Sequence, residues 1–458
     1  MTSFESLRTH LRGELITPES SEYDAARRLW NGMLDKRPAG IARCTGVADV
    51  VACVRHAAEH DVLLAIRGGG HNVAGLAMCD DGLVIDLSRM KGAHVDPRTR
   101  TIRAQGGMCW GDFDRETHLF GLATTGGAVS TTGIAGLTLG GGVGWLNGRC
   151  GFVCDNVLSF EVVTADGTVR LASADEHSDL NWALRGGGGN FGVVTSFEFQ
   201  LYPISTVIGG LLVHPLERGR DVLRFYRDYV ASAPDELTVY AVALTTPDGL
   251  EALALVPCYC GEDLEEGTRL LEPLRRFGPP LADLVAPMPY VVMQQMLDAA
   301  CPYGIHSYWK SNFMRDLTDD GIDTFVEFAR GKTSPRTIAV IEHYHGQALR
   351  VRPDATAFAL RTETFNLVIL TLWEGGDADP HIQWARKFWT AMKPSSAGTV
   401  YMNALSADEE NRLREAYGAN YERLAEVKAT YDPSNVFRVN HNIRPLAASV
   451  CGAARSSD

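Results

Sequence analysis

The sequence predicts an α+β fold divided into two domains. Its first two hundred residues mix helical periodicity with antiparallel hairpins, which argues against a doubly wound sheet. Its clustered glycines fall in that part and stop after Gln200-Leu201-Tyr202-Pro203-Ile204. A chain of 458 residues with 45% hydrophobic content is also too long for one core and suits two domains of ordinary size. A boundary near residue 205 follows.

Residues 40–67 read as strand, helix, strand. Thr45 stands where an N-cap is needed, and Val47, Val50, Val51, Val54 and Ala57 fall on one helical face. Val62-Leu63-Leu64-Ala65-Ile66 is an apolar run of buried-strand type. Leu83-Val84-Ile85-Asp86-Leu87, entered through Asp81-Gly82, is another short strand, apolar apart from Asp86. Residues 93–106 pattern as a hairpin turning at Asp96-Pro97-Arg98, and residues 162–170 as a second with Asp166-Gly167 at its tip. From 206 onward apolar strands alternate with amphipathic helices. Leu237 to Leu244 and Phe365 to Trp373 read as strands, Val222 to Ala231 and His381 to Ala391 as helices. No internal repeat or low-complexity tract appears.

Composition excludes several classes. A formal net charge of −13 argues against a nucleic-acid partner and serves solubility. No run of about 20 apolar residues predicts a membrane span. The start, Met1-Thr2-Ser3-Phe4-Glu5-Ser6, lacks a basic region followed by an apolar stretch, so no secretory signal is expected. The ten cysteines are scattered, and the close pairs Cys258-Tyr259-Cys260 and Cys150…Cys154 lack a second pair at zinc spacing. They read as reduced core residues of a cytoplasmic protein without a metal. Oligomeric state is not encoded.

The chemistry begins at Arg67-Gly68-Gly69-Gly70-His71-Asn72-Val73-Ala74-Gly75. Three successive glycines leave backbone N–H groups free to close on an anion, phosphate being the usual one. A histidine at the lip of such a nest offers a nucleophilic imidazole; the alternative is a tight turn with a surface histidine. Glycine is abundant, at 46 residues, and two more clusters follow. One runs Gly126-Gly127, Gly133, Gly136 and Gly140-Gly141-Gly142; the other is Arg185-Gly186-Gly187-Gly188-Gly189-Asn190-Phe191-Gly192. Three such loops beside apolar segments imply backbone packed against one extended ligand, whereas a flexible linker is polar and Ser-rich. Residues 187–192 also spell G-x-G-x-x-G, but a Rossmann site needs an acidic residue ~20 positions on, and Pro203-Ile204-Ser205-Thr206 and its neighbours offer none before Glu217.

Ile66 to Gly75 resembles the pyrophosphate loop of FAD-linked oxidases of the vanillyl-alcohol-oxidase (PCMH-type FAD-binding) fold, in its berberine-bridge-enzyme-like branch. Gly140-Gly141-Gly142-Val143-Gly144-Trp145-Leu146 running into Cys154-Asp155-Asn156-Val157-Leu158 is similar to the second flavin segment of that branch, and Gly189-Asn190-Phe191-Gly192-Val193-Val194-Thr195 to its third. Asn420-Tyr421-Glu422-Arg423-Leu424, Val427-Lys428 and Tyr431-Asp432-Pro433-Ser434-Asn435-Val436-Phe437 resemble its terminal helix and closing flavin contact. The resemblance extends over nearly the whole chain and points to bacterial oxidases of the 6-hydroxy-D-nicotine oxidase type. It implies an FAD-binding domain at 1–205, completed by 414–458, and a substrate domain at 206–413 built on an antiparallel sheet backed by helices.

The resemblance further implies that FAD is linked through its 8α-carbon to His71. It implies FAD contacts from Arg67, Gly68, Gly69, Gly70, Asn72 and Gly75 in the first loop, and from Gly126, Gly127, Thr131, Thr132, Gly133, Gly136, Gly140, Gly141, Gly142 and Val143 in the second. The third supplies Asn190, Phe191, Gly192, Val193 and Val194, and Tyr401, Asn403, Asn440 and Asn442 complete the set. Val129 stands where some members carry a second, cysteinyl link, so none is expected. Gly127 aligns with the position governing oxygen access to the flavin, which favours an oxidase over a dehydrogenase; a tight turn is the alternative reading of that glycine.

A base must take an O–H or N–H proton as hydride leaves the adjacent C–H. Members place it in the substrate-domain sheet or the terminal segment. In Ala339-Val340-Ile341-Glu342-His343-Tyr344-His345, alternation puts Ile341, His343 and His345 on one face and Val340, Glu342 and Tyr344 on the other. Each of Glu342, His343, Tyr344 and His345 is a candidate base or a solvent-facing residue, and His441 is a further candidate. No tyrosine follows the closing Phe437, which disfavours a tyrosinate mechanism of sugar-oxidase type. Tyr303, Tyr308, Trp309, Phe365 and Trp373 are candidate walls of an aromatic pocket or core residues. The expected partners are a small cyclic or natural-product substrate and dioxygen. The rival functions are a flavin dehydrogenase with another acceptor, a sugar oxidase, and a non-catalytic nucleotide-fold binding protein.

Overall fold

The computed structural model describes residues 4–446. The expected first unit begins with strand Gly40–Arg43, helix Val47–Glu59 and strand Leu64–Arg67. Strand Leu83–Asp86 runs parallel between the two, and Glu14–Ile16 adds antiparallel to Gly40–Arg43, giving four strands. Val50, Cys53, Val54 and Ala57 turn the helix's apolar face into this sheet, while Val47 and Val51 are half-buried. Gly46, not Thr45, occupies the N-cap. Thr45 instead donates its backbone N–H and hydroxyl to Asp49, which also takes the N–H groups of Arg12 and Gly13. That carboxylate organises the helix start where a Thr oxygen was expected to.

A second, antiparallel sheet of five strands contains both hairpins. Its order is Ala93–Asp96, Thr101–Gln105, Val193–Gln200, Val157–Val163, Val169–Ser173. Aromatic residues Phe160, Phe197 and Phe199 pack from it against Trp110 and Phe113 of the helix Trp110–His118. Mixed α and β elements in separate layers agree with the α+β reading.

Residues 206–373 build a nine-stranded sheet in which every pairing is antiparallel. Its central strands are Leu237–Thr245, Ile338–His343 and Phe365–Trp373. Helices Gly219–Val230, Asp319–Arg330 and Asp379–Ala391 cover one face through Leu223, Tyr226, Phe325 and Phe388. The opposite face turns toward the glycine loops. Strand Ile338–His343 is shorter than expected, and Tyr344 and His345 lie beyond its end.

The chain then returns to the first unit. Helix Tyr421–Tyr431 buries Leu424, Ala425 and Val427 against Phe160, Leu180 and Phe191. Its Lys428 is wholly buried; the ammonium donates to Asn190 O (2.7 Å), Phe437 O (3.1 Å) and Asp432 Oδ2 (2.6 Å). Of the segment 414–458, residues 447–458 lie outside the described ones. Asp155 and Arg361, both buried, form a two-pronged ion pair between the two parts of the chain, with the guanidinium over the rings of Phe152 and Phe358. Among the described residues no helix is long and apolar enough to cross a membrane.

Candidate active site

A cavity of about 340 Å³ lies between the glycine loops and the open face of the nine-stranded sheet. Strand Leu64–Arg67 delivers the first loop to it, and Gly68, Gly69, Gly70, His71 and Asn72 line one end. Gly69 and Gly133 touch backbone to backbone. A Cβ on Gly69 would sit 2.4 Å from Gly133 N, and one on Gly133 would sit 2.3 Å from Gly69 N. Only glycine at both positions lets the first two loops meet. Gly127, Thr132, Gly133, Gly136 and Val143 of the second cluster line the floor, with Gly188, Gly189, Gly192, Val193 and Val194 of the third. Tyr401, Asn403, Asn440 and His441 close the sides.

Other expected contacts lie behind this lining. The Arg67 guanidinium turns away and pairs with buried Asp86 and the Ala26 carbonyl. Gly75 packs on Leu34, Gly126 on Trp110, Gly141 on Phe358 and Gly142 on Val153. Gly140 makes room for Asn403, whose Nδ2 donates to Leu137 O (3.1 Å) and Tyr401 Oη (2.9 Å). Phe191 is core. Asn190 is a strut, donating to Gly187 O and His441 O and accepting from Ile443 N. Asn442 is half-buried beside the lining. Thr131 is exposed, with Oγ1 2.9 Å from His71 Nε2.

His71 is walled in. Its ring stacks on the buried indole of Trp30, centroids 4.9 Å apart and planes 21° from parallel. Burial pushes its pKa down to about 4, so the ring is neutral at ordinary pH. The second loop is held by the segment 294–298: Gln294 Nε2 donates to Gly127 O (3.0 Å), and Asp298 accepts from Ser130 N and Oγ. A Cβ on Gly127 would meet Leu137 Cδ2 at 2.8 Å, so a larger residue here must shift a leucine that itself lines the cavity.

Of the four candidate bases on the sheet, only Glu342 lines the cavity. Tyr344 Oη (2.5 Å) and Asn366 Nδ2 (2.9 Å) both donate to its Oε2. Oε1 has no protein donor among the described residues. Burial raises the Glu342 pKa, and these two donors oppose the shift. Tyr344 thus props the Glu342 carboxylate, and burial pushes its phenol well above the usual range. His343 and His345 stack on one another, 4.8 Å apart, behind the strand, and His343 tilts against Phe365. Burial lowers both, His343 to about 3. His441 lines the cavity with both ring nitrogens unpartnered, and its pKa falls to about 4.

The wall opposite the glycine loops is apolar: Leu297, Ile338, Val340, Val368, Leu370 and Trp309. The alternation of 338, 340 and 342 with the paired 368 and 370 carries that signal in the sequence. Trp309 is the one member of the expected aromatic set on this wall. Tyr303 is exposed, while Tyr308, Phe365 and Trp373 pack in the core on the other face, because odd and even strand positions part there. Cys301 and Trp30 went unnoticed in the sequence. Both sit beside Val129 in one apolar cluster, and Cys301 lines the cavity. Tyr240 also lines it, its hydroxyl donating to Gly144 O and accepting from Asn147 Nδ2.

The lining suits FAD. No Cβ-sized obstacle stands within 4 Å of Gly136 or Gly189, so the cavity reaches the backbone there. Buried polar atoms without partners surround it: Asn440 Oδ1, Asn442 Oδ1, Trp309 Nε1 and both nitrogens of His441. Such atoms are costly unless a ligand meets them. Among the described residues no lysine or arginine lines the cavity, which leaves a diphosphate to the backbone N–H groups of the glycine loops.

Residues 38–173 match the FAD binding domain family, and residues 400–444 match the berberine and berberine-like family. An FAD-linked oxidoreductase of Dictyostelium discoideum is 30% identical over 95% of this chain and 95% of its own length. (R)-6-hydroxynicotine oxidase of Paenarthrobacter nicotinovorans is 31% identical over 95% of this chain and 97% of its own. Among solved structures, 6-hydroxy-D-nicotine oxidase from Arthrobacter nicotinovorans superposes with a TM-score of 0.87 at 29% identity, covering 94% of this chain and 98% of that one.

Proposed function

Because the chain belongs to the berberine-like family of FAD-linked oxidoreductases, we propose that it is an oxidase holding FAD covalently on His71 and using Glu342 as its base. When bound, FAD takes a hydride equivalent from a substrate carbon and hands two electrons to dioxygen, giving hydrogen peroxide. The observation that carries this reading is the placement of one carboxylate, Glu342, on an apolar wall facing the glycine loops.

Glu342 Oε1 accepts the proton from the O–H or N–H beside the reacting C–H, while Tyr344 and Asn366 hold Oε2 and fix the carboxylate plane. Ile338, Val340, Val368 and Leu370 keep water from that oxygen. Asn403 and His441 supply polar contacts at the edge of the ring site, and neutral His71 supplies the nucleophile for attachment.

An apolar slot with one carboxylate suits a small ring carrying one O–H or N–H. A sugar would leave several hydroxyls without partners, each costing about 1–3 kcal/mol. A hydroxylated cyclic amine, as in the name of the 31%-identical relative, is therefore the first substrate to test. Anaerobic mixing should bleach the flavin, and admission of air should consume dioxygen and restore the colour. Bleaching followed by reoxidation only with dyes would overturn the oxidase reading. Bleaching by oligosaccharides alone would overturn the substrate class.

A further inference from the structure

His71 Nε2 lies 2.9 Å from Thr131 Oγ1, and no protein group among the described residues meets Nδ1. The ring cannot turn freely about this contact, because Trp30 stacks on it. Trp30 is itself fixed at three points: its N–H donates to Gly70 O (3.1 Å), its carbonyl accepts from Gly304 N (2.8 Å), and its indole N–H donates to Cys301 O (3.0 Å). A neutral imidazole carries one hydrogen, and the partner of one nitrogen decides which nitrogen keeps a lone pair.

We infer that Thr131 is the positioning residue for attachment of the cofactor. Its hydroxyl accepts the Nε2–H, which leaves the Nδ1 lone pair as the nucleophile. This rests on the proposed linkage through His71. Thr131 is exposed and His71 half-buried, so the threonine hydroxyl also connects Nε2 to solvent. Attachment forms the Nδ1–C8α bond and removes one hydrogen from the 8α-methyl group and the N–H proton from the imidazole. The two electrons and two protons released pass to dioxygen, giving hydrogen peroxide. Thr131 carries the imidazole proton outward from Nε2.

The full-length chain produced in riboflavin-starved cells, mixed with FAD in air, tests this. Acid-precipitable flavin is measured over time, with total bound FAD measured separately by gel filtration. Expressed per FAD bound, Thr131→Val should attach the cofactor at least tenfold more slowly than the wild type, since a positioned proton acceptor is worth roughly 10²–10⁴ in rate. Thr131→Ser should restore attachment. A wild-type rate in Thr131→Val overturns the inference, as does failure of Thr131→Ser to rescue while FAD still binds. Wild-type flavin that stays wholly in the acid supernatant overturns the His71 linkage itself, and this is seen before any variant is compared.

Discussion

Replacing Glu342 by glutamine separates proton transfer from everything else the residue does. Both structural donors, Tyr344 Oη and Asn366 Nδ2, meet the same oxygen, Oε2. A glutamine placing its single oxygen there keeps both bonds and puts an NH2 where Oε1 stood. The packing is isosteric, so the loss should fall on chemistry: roughly 10²–10⁴-fold in anaerobic flavin reduction, or about 3–5 kcal/mol of barrier. A second signature comes from titration. The folded pKa of Glu342 is raised by burial, so this group favours folding below its unfolded pKa and loses that contribution as pH rises through the folded value. At neutral pH the variant should therefore melt no lower than the wild type. The reduction rate of the wild type should fall as pH drops through the raised pKa, and Glu342→Gln should lack that acid limb. Stopped-flow reduction across pH, with FAD content and melting temperature in parallel, reads all three. A near-wild-type reduction rate in Glu342→Gln on the true substrate would refute the assignment and move attention to His441.

His71→Ala should send all yellow flavin into the supernatant after acid precipitation, whereas the wild type should retain it in the pellet; equal release from both would sink the linkage. Gly127→Ala should slow reoxidation by oxygen more than flavin reduction, because its methyl group displaces Leu137, itself part of the cavity lining, and an unchanged reoxidation rate removes Gly127 as the oxygen entrance. Lys428→Met should cost about 3–5 kcal/mol in urea unfolding, since Asp432 would be left as a buried charge without its partner; a loss under 1 kcal/mol would show that water reaches the site. Lys428→Met should also weaken FAD retention, because Asn190 and the 437–441 segment are anchored through that ammonium, and an unaltered flavin-to-protein ratio would contradict this.

The parts legible in the sequence are those written locally. The three glycine clusters, both hairpins and the strand at Phe365–Trp373 follow from turn chemistry and period, and each occupies nearly the expected span. Alternation sorted Glu342 from His343 before any coordinates, but it does not say that Tyr344 bends back to bond Glu342 after the strand has ended. Arg67 reads as a ligand contact from its place beside the glycines. Its partner Asp86 lies on the neighbouring strand, and only strand pairing discloses it. Trp30 and Cys301 escaped notice for the same reason. They lie 271 residues apart in sequence, and nothing near either one marks them as neighbours.

The two sides of the cavity are made at very different times. Gly68 to Val194 emerge early from the ribosome, and His441 follows some 250 residues later. At ~5–20 residues per second this interval lasts roughly 12–50 s. Throughout it, Asn190 lacks the lysine that grips its carbonyl, and the cavity lacks the side that Asn440 and His441 close. Completion of the cofactor site is in this sense a late event in biosynthesis, and a nascent chain stalled before Lys428 would carry both large walls of the cavity without the segment that locks them together.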